Sequence, residues 1–504
     1  MRVLLTSLLA VSIVLPAAAD APQTMVRAHV TIESPLSLPN TPLDPVIDFP
    51  ALIHAAQLDG VLDPNSVTVV NSATGNAVPH ALTEDFAYGD AGRIEWVVAD
   101  PRHREFEIRF RTAAQRPQLR PQPYMPPIGT GDLLRYNAGE PRPITVPYSP
   151  GLHDLNGDGH PDLTGVWNYA HRPGQPWDGV VCFLATADER FQFGDMTRLR
   201  TLTSDHDDPQ FLTHTYMGAD FADFNADGRI DAVVTRRGTQ QASFSLNSGR
   251  RDAGGLPLLE PAGSIGITGW QTCSAVDLNV DGSIDLVVDG EYVRNTNSAG
   301  WPFEPAAPAP LEAGRHPRFL DLDDDGRPDS ICLQGSDSVQ PDFYRVAWRR
   351  NQGGDPPQFG TEQLLPDITE SDISTATVWR VGARHGLIVQ HAAFENLTFH
   401  ELISPATADA PPRFERIGRA ESESAVISLS APAWPSLCDW DDDGDGDLLV
   451  GGGYGWPQIV INEGSRAQPA FAEPRRIEAD GTPIRLVRNE LLGEPHNGHD
   501  MGYP

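Results

Sequence analysis

The sequence predicts an all-β protein in which a small β-sandwich-like domain precedes a β-propeller of six to seven four-stranded blades. The first observation is an acidic nine-residue motif that occurs five times and is each time followed by an apolar run. The second is the distance between motif starts, 69, 54, 44 and 118 residues, because periods of this size indicate stacked supersecondary units. The third is the abundance of glycine and proline, 46 residues each, which favours short strands and tight turns over helices.

Residues 1–19 are typical of a secretory signal peptide. Arg2 is followed by an apolar stretch from Val3 to Leu15 and by the small-residue pair Ala17 and Ala19, which fits cleavage before Asp20. The apolar stretch is too short to span a bilayer, and no later stretch reaches about 18 apolar residues. We therefore expect a secreted protein, periplasmic or extracellular, without a membrane span.

Residues 20–114 lack the acidic motif and predict the β-sandwich-like domain. Strand-forming runs alternate with polar residues, and a short helix is expected at Pro50–Leu58. The four expected strands are Val26–Ile32, Val67–Val70, Ile94–Val98 and Phe106–Arg111. Residues 115–133 are rich in proline and predict a stiff linker.

Residues 134–504 predict the propeller. Each repeat shows a strand, the acidic loop, an apolar strand such as Asp231–Val234 and a third strand such as Ala242–Asn247. A short fourth strand often follows a glycine and an aromatic residue, as in Gly353–Phe359, and four strands per repeat describe a propeller blade. The gap of 118 residues is twice 59, so one repeat has lost its acidic loop, and Ala376–Val389 fits that repeat. These repeats give six blades. Ile484–Arg488 is expected to be a further outer strand, and Glu494–Pro504 resembles the segment before an acidic loop, which suggests a seventh blade.

The acidic motif predicts a calcium site in each of five loops. Side-chain oxygens at positions 1, 3, 5 and 9 and a backbone carbonyl at position 7 converge around a glycine turn, and Ca²⁺ takes six to eight such oxygens. One Asp/Gly-rich turn alone would be ambiguous, but five in matching contexts favour metal binding. The expected ligands are Asp154, Asn156, Asp158, His160 and Asp162; Asp223, Asn225, Asp227, Arg229 and Asp231; Asp277, Asn279, Asp281, Ser283 and Asp285; Asp321, Asp323, Asp325, Arg327 and Asp329; and Asp439, Asp441, Asp443, Asp445 and Asp447.

The formal net charge of −32 supports the same interpretation. Carboxylates placed so closely repel one another until a cation neutralises them, so calcium should be coupled to folding. A strongly acidic chain is also an unsuitable partner for nucleic acids or anionic membranes.

The loops and their strand context resemble the FG-GAP/VCBS repeat family, the calcium-binding propellers of secreted bacterial proteins and of the integrin α-subunit head. The resemblance extends from about Pro141 to the end of the chain. It implies that the calcium loops lie on one face of the propeller and that loops after the second and fourth strands form a ligand-binding face opposite.

Carried onto this sequence, the resemblance puts aromatic, histidine and arginine side chains on or near that opposite face. Such side chains suit a carbohydrate or peptide ligand, although each could instead pack between blades or be an ordinary surface residue. They are Trp167, Tyr169, His171, Arg236, Arg237, Glu291, His391, Tyr454 and Trp456, with His214, Tyr216, Trp270, His316, Trp434, His496 and His499 on the connections between blades.

Two functions are consistent with these features. The first is a binding or adhesion module, expected to be monomeric, whose partner is an extracellular polysaccharide or protein and in which calcium is structural. The alternative is a polysaccharide lyase, which needs a base and a positive charge beside a uronate. Its candidate catalytic residues are Tyr169, His171, Arg236, Arg237, His391 and His499. The sequence has no Gly-x-Ser-x-Gly, HExxH or phosphate-loop motif.

The four cysteines leave two interpretations open. Cys182, Cys273, Cys332 and Cys438 lie in different repeats and contain no CxxC pair, which argues against zinc. They are either small buried thiols or, since the protein is expected to be exported, partners in disulfides.

Overall fold

The structure is a computed structural model, and it confirms that the chain is all-β. It describes residues 3–4, 25–120, 122, 124–129, 133–167, 178–186, 191–202, 209–212, 218–236, 239–252, 254–269, 272–335, 344–369, 373–391, 396–407, 410–429, 433–452, 456–466 and 468–484. Two compact units are present. The N-terminal unit holds the described residues up to 135 with 252, 254–255 and 468–469, and the C-terminal unit holds the rest.

The N-terminal unit is built from two antiparallel sheets and one short helix. One sheet has the strand order β1-β2-β9-β5-β6, and in the other β3, β4 and β7 all pair with β8. The elements are β1 Val3–Leu4, β2 Val26–Ile32, β3 Thr41–Leu43, β4 Val46–Asp48, α1 Phe49–Ala55, β5 Val61–Asn71, β6 Ala77–Val78, β7 His80–Leu82, a 3₁₀ helix Glu84–Ala87, β8 Ala91–Val98, β9 Glu105–Ala113, β10 Ile128–Gly129 and β11 Leu133–Leu134.

Side chains of both sheets meet in one hydrophobic core. Strand β2 alternates buried and half-buried residues, which is the pattern of a strand with one covered face. Trp96 from β8 packs against Phe106 from β9, with ring centroids 5.6 Å apart. The four strands expected from the sequence are therefore present and share this core.

Helix α1 begins one residue earlier and ends three residues earlier than predicted. Asp48 caps it, because its Oδ1 accepts the N–H of Ala51 at 3.0 Å, and Pro50 fits the first turn, where no backbone donor is needed.

Part of the predicted linker packs against the N-terminal unit. Arg116 Nε donates to Asp90 Oδ1 at 3.1 Å, and Leu119 contacts the core. Asn65 Nδ2 donates to the carbonyl of Gln118 at 2.8 Å. Residues 115–120 are thus held on the surface of this unit instead of forming a free spacer.

The described part of the C-terminal unit contains six sets of antiparallel strands, which we call repeats and number along the chain; repeats 4 and 5 share one eight-stranded sheet. Repeat 1 comprises β13–β16, repeat 2 β19–β22, repeat 3 β23–β26, repeat 4 β27–β29 with β32, repeat 5 β33–β36 and repeat 6 β38–β41. The strands are β12 Arg142–Pro143, β13 Tyr148–His153, β14 Asp162–Trp167, β15 Gly179–Ala185, β16 Phe193–Arg198, β17 Arg200–Thr201, β18 Gln210–Phe211, β19 Ala219–Ala222, β20 Asp231–Thr235, β21 Gln241–Arg251, β22 Pro257–Gly266, β23 Cys273–Val276, β24 Asp285–Val288, β25 Glu291–Val293, β26 Ala309–Pro310, β27 Arg315–Leu320, β28 Asp329–Gly335, β29 Tyr344–Arg349, β30 Asn351–Gly354, β31 Pro357–Phe359, β32 Gln363–Leu364, β33 Ile373–Val381, β34 Arg384–His391, β35 Leu397–Ser404, β36 Arg413–Arg419, β37 Glu421–Ser422, β38 Ala433–Cys438, β39 Asp447–Gly452, β40 Gln458–Val460, β41 Arg475–Arg476, β42 Glu478–Ala479 and β43 Thr482–Pro483.

Each acidic loop connects the first and second strands of its repeat. The second strand starts at the ninth residue of the motif, and in repeats 2 and 3 every residue of that strand is buried. A near-continuous apolar run is expected for a strand covered on both faces. The expected segment Ile484–Arg488 extends past residue 484, beyond the described residues.

Repeat 5 is the one without an acidic loop. Strands β33 and β34 pair antiparallel from Ile373 with His391 to Val381 with Arg384, so two residues suffice for the turn. Gly382 supplies the left-handed backbone of that turn with φ of +61°. The two strands expected within Ala376–Val389 are therefore present.

The fourth strand of repeat 4 follows Gly353–Phe359, as the sequence predicts. It is β32, which pairs with the third strand in the register Ala347 with Leu364. An additional hairpin of β30 with β31, which was not predicted, lies around Gly353–Phe359. Its Gly-rich turn favours this local pairing.

The first strands of repeats 1 to 5 line one cavity of about 490 Å³. These are β13, β19, β23, β27 and β33, and β13 lies beside β33, so the five strands follow one another around the cavity. Among the described residues the four cysteines form no disulfide, and Cys182, Cys273 and Cys332 are buried.

Candidate metal sites

The backbone of each acidic loop takes the same path. Position 6 is a glycine with φ between +83° and +92° in all five loops, and position 4 also has positive φ. Position 4 is glycine in the first loop but Ala226, Val280, Asp324 and Asp442 in the others. A β-branched residue such as Val280, with φ of +60°, rarely adopts this conformation, so its backbone is strained.

The side chains at positions 1, 3 and 5 point into the loop. In the second loop Asp223 accepts the N–H of Asp227 at 3.0 Å and that of Gly228 at 2.7 Å. Asn225 also accepts the N–H of Asp227, at 3.1 Å, and donates to its carboxylate at 3.0 Å. The first and third loops repeat these contacts. The three predicted ligand side chains of each loop are therefore close together.

The N–H of the position-7 residue in every loop donates to the carboxylate at position 5. The distances are 2.8 Å for His160, 2.9 Å for Arg229 and for Arg327, and 3.0 Å for Ser283 and for Asp445. The side chains of Arg229 and Arg327 also bridge back to that carboxylate. The position-7 residues thus hold the position-5 carboxylate in place.

The aspartate at position 9 is fully buried in all five loops. In the second loop Asp231 Oδ2 accepts the N–H of Phe224 at 3.0 Å, and Oδ1 accepts the N–H of Asn247 at 2.7 Å. One carboxylate therefore joins the start of its loop to the end of the third strand. Corresponding pairs of contacts involve Asp162, Asp329 and Asp447.

The carboxylate of Asp285 also accepts a hydrogen bond from a side chain, because Tyr292 Oη donates to its Oδ2 at 2.7 Å. Its Oδ1 accepts the N–H of Asn295 at 2.8 Å. Burial raises the pKa of Asp162, of Asp231 and of Asp285 to about 6, and that of Asp329 to about 7. A neighbouring divalent cation would favour the ionised form of each group.

In repeats 2, 3, 4 and 6 the buried ninth aspartate accepts the N–H of an asparagine that was not predicted as part of the site. Asn351 is 1% exposed. Its Nδ2 donates to the carbonyl of Pro328 at 2.9 Å and its Oδ1 accepts the N–H of Gly353 at 2.8 Å. The others are Asn247, Asn295 and Asn462, each followed two residues later by glycine or asparagine. That spacing after a third strand was a signal in the sequence.

The loops of repeats 4 and 6 carry an extra carboxylate at position 3. The carboxylate oxygens of Asp321, Asp323 and Asp325 lie within 4.8 Å of one another, and so do those of Asp439, Asp441 and Asp443. Arg350 forms an ion pair with Asp323. Burial and the charge of Asp325 raise the pKa of Asp323.

Asp321 has a buried carboxylate oxygen without a hydrogen-bond partner among the described residues. This oxygen is Oδ1, while Oδ2 accepts the N–H of Gly326 at 2.9 Å. A buried, unpaired carboxylate oxygen costs about 1–3 kcal/mol or more. A hard cation bound between Asp321, Asp323 and Asp325 would remove that cost, so these residues fit calcium.

The predicted ligand-face residues are only partly within the described chain. Arg236 is exposed directly after β20, and His391 ends β34 with its Nε2 3.2 Å from Thr398 Oγ1. Glu291 accepts a hydrogen bond from Thr268, and Arg476 stacks over the Trp456 ring at 4.4 Å. These contacts are made with neighbouring strands and loops.

The remaining candidates have varied surroundings. Trp167 ends β14 and is half-buried, and Trp434 is 57% exposed on β38. Burial, then the charges of Arg315 and Arg318, lower the pKa of His316 to about 4. The candidates that lie outside the described residues are Tyr169, His171, His214, Tyr216, Arg237, Trp270, Tyr454, His496 and His499.

Comparison with known proteins found no matching family model and no matching curated protein. In the described part of the chain, no helix is long and apolar enough to cross a membrane.

We predict that Asn351→Ala lowers the free energy of unfolding by about 2 kcal/mol, because it removes the partners of the half-buried Pro328 carbonyl and Gly353 N–H. The neighbouring Gln352 is exposed, so Gln352→Ala should change stability by less than about 0.5 kcal/mol. Urea denaturation of both variants measures the difference. Equal losses would contradict the role assigned to Asn351.

We also predict that Val280→Gly raises the free energy of unfolding by about 1 kcal/mol, because glycine removes the strain of the positive φ. Ile403 is a comparably exposed β-branched residue in a regular strand. Ile403→Gly should therefore destabilise the protein by about 1 kcal/mol. The idea fails if thermal unfolding shows the same sign for both substitutions.

Proposed function

We propose that the C-terminal unit is a calcium-stabilised β-propeller of the FG-GAP/VCBS type, preceded by a β-sandwich, and that the protein acts outside the cell as a carbohydrate- or protein-binding and adhesion module. The observation that carries this proposal is the repetition of one acidic loop. Five loops share the same backbone path and the same buried ninth carboxylate, each between the first two strands of a four-stranded repeat.

The donor set supports calcium as the bound ion. Carboxylate and amide oxygens are hard ligands, and the loops offer neither thiolate nor imidazole at positions 1, 3, 5 and 9. Positions 1, 3 and 5 would hold the ion with the carbonyl of position 7. The ninth aspartate already accepts two backbone N–H groups, and its free lone pairs would complete the set.

A structural role for calcium follows from where the loops lie. Each loop connects two strands and has three or four carboxylates at positions 1, 3, 5 and 9, whose repulsion opposes the compact loop. A bound cation supplies the missing positive charge, so its binding free energy adds to folding. Repeat 5 needs no ion, since its turn has no carboxylate.

A binding role is supported by the strand ends opposite the acidic loops. The second strands of repeats 2 and 5 lead to Arg236 and His391, and Trp456 lies just before the third strand of repeat 6. Flat rings and charged groups of this kind fit a sugar or peptide surface. The ligand would be read by side chains on this face while calcium fixes the loops.

We expect calcium to raise the thermal midpoint of unfolding and a chelator to reverse the rise, because an ion that binds only the folded state adds about 2.7 kcal/mol at 100-fold excess over its Kd. Asp321→Asn should reduce the calcium-dependent part. The matched control is Asp324→Asn in the same loop, since Asp324 is exposed at position 4 and is not a predicted ligand. Differential scanning calorimetry distinguishes the two, and equal effects of both variants would refute the calcium site.

We expect the protein to bind, without cleaving, at least one member of a panel of uronate-containing and neutral polysaccharides and extracellular proteins. Affinity electrophoresis and pull-down measure binding, and absorbance of unsaturated uronate with new reducing ends measures cleavage. Product formation that is lost in the His391→Ala variant would instead establish the lyase. Absence of any bound partner would remove support for the binding module.

A further inference from the structure

The cavity between repeats 1 to 5 is lined by three polar residues that occupy the same position in their repeats. The third residue before the acidic loop is Gly151 in repeat 1, Asp220 in repeat 2, Ser274 in repeat 3 and Arg318 in repeat 4. All four line the cavity. Because these residues occupy the same position in successive first strands, Asp220, Ser274 and Arg318 are neighbours around the wall.

Asp220 is already supplied with hydrogen bonds. Its Oδ1 accepts the N–H of Phe221 at 2.9 Å, and its Oδ2 accepts the N–H of Ala275 at 2.7 Å. Its charge still acts on Arg318, since burial lowers the pKa of Arg318 while Asp220 opposes that change. Asp220 therefore holds two strands together and leaves the arginine without a direct ion pair.

Arg318 is only 7% exposed and yet weakly paired. Its Nη1 donates to Ser274 Oγ at 3.0 Å and approaches the carbonyl of Pro317 at 3.5 Å. Among the described residues, no carboxylate forms an ion pair with it. A buried guanidinium costs several kcal/mol unless it is paired, and its planar fork matches a carboxylate through two parallel hydrogen bonds.

We propose that the central cavity binds a small organic anion through its carboxylate, with Arg318 as the anchoring residue and Ser274 as the group that orients the guanidinium. A volume of about 490 Å³ is suited to a ligand of the size of a monosaccharide acid or a short hydroxy acid. Trp379 also lines the cavity, and it is buried with its Nε1 donating to the carbonyl of His400 at 3.2 Å. Arg318 precedes the fourth acidic loop by three residues, and the proposal does not depend on the proposed adhesion function.

The cavity is accessible from solvent. Arg380, at the end of β33, lines the cavity and is exposed. Asp321 and Gly326 of the fourth acidic loop line it as well, and Gly326 is exposed. The cavity therefore opens beside this loop, and it is lined there by a positive charge, Arg380, and a negative one, Asp321.

Isothermal titration calorimetry on the full chain tests the proposal with D-glucuronate, D-glucose and inorganic phosphate as probes. D-glucuronate should bind, while D-glucose, which lacks the carboxylate, should not. Arg318→Met should weaken the binding of D-glucuronate on the order of 30-fold or more, because it removes the charged partner. The matched control is Arg416→Met, which removes the same charge from an exposed position on β36.

The other outcomes overturn the proposal. Failure of D-glucuronate to bind, equal binding of D-glucose, tighter binding of phosphate, or an equal loss in Arg416→Met would each do so. If circular dichroism shows that Arg318→Met does not fold, Ser274→Ala takes its place. That variant removes the hydroxyl that orients Arg318 and should weaken binding about tenfold, and unchanged affinity would reject the site.

Discussion

The C-terminal unit depends on a buried carboxylate that accepts two backbone N–H groups from different parts of its repeat. Asp231 connects the start of its loop with the end of the third strand, and the equivalent residues do so in the other acidic repeats. An unpaired N–H in such a buried place would be costly, so this one side chain fixes loop and strand together. The surrounding asparagines extend the same network, and the loop keeps its path because its ends are held.

Much of the fold could be predicted because the strands follow each acidic motif directly. The apolar runs after the loops and the alternation in the N-terminal unit gave strands at the expected residues, and the gap of 118 residues led to the repeat without a loop. Short pairings were harder, because the hairpin of β30 with β31 around Gly353–Phe359 was not predicted. The partner of a short strand is decided by contacts distant in sequence.

The residues of the candidate metal sites could be predicted from the sequence, but the different roles of these residues could not. The motif spacing predicted that Asp223, Asn225 and Asp227 lie close together, with Asp231 as a further ligand. In the structure Asp231 also accepts the N–H of Asn247, and this contact depends on the pairing of the third strand. Asn351 was missed because a lone asparagine after a strand has many ordinary explanations. The importance of Arg318 could not be recognised either, since its neighbours Ser274 and Asp220 come from other repeats.

The wall of the central cavity shows how successive repeats can carry different chemistry at one position. This position is glycine, aspartate, serine and arginine in repeats 1 to 4. The strand register shifts at Gly151 and at Arg318 but is regular at Asp220 and Ser274, and Asp220 also joins two strands. New ligand preferences could therefore evolve one repeat at a time, but each replacement would also have to preserve the strand contacts of its own repeat.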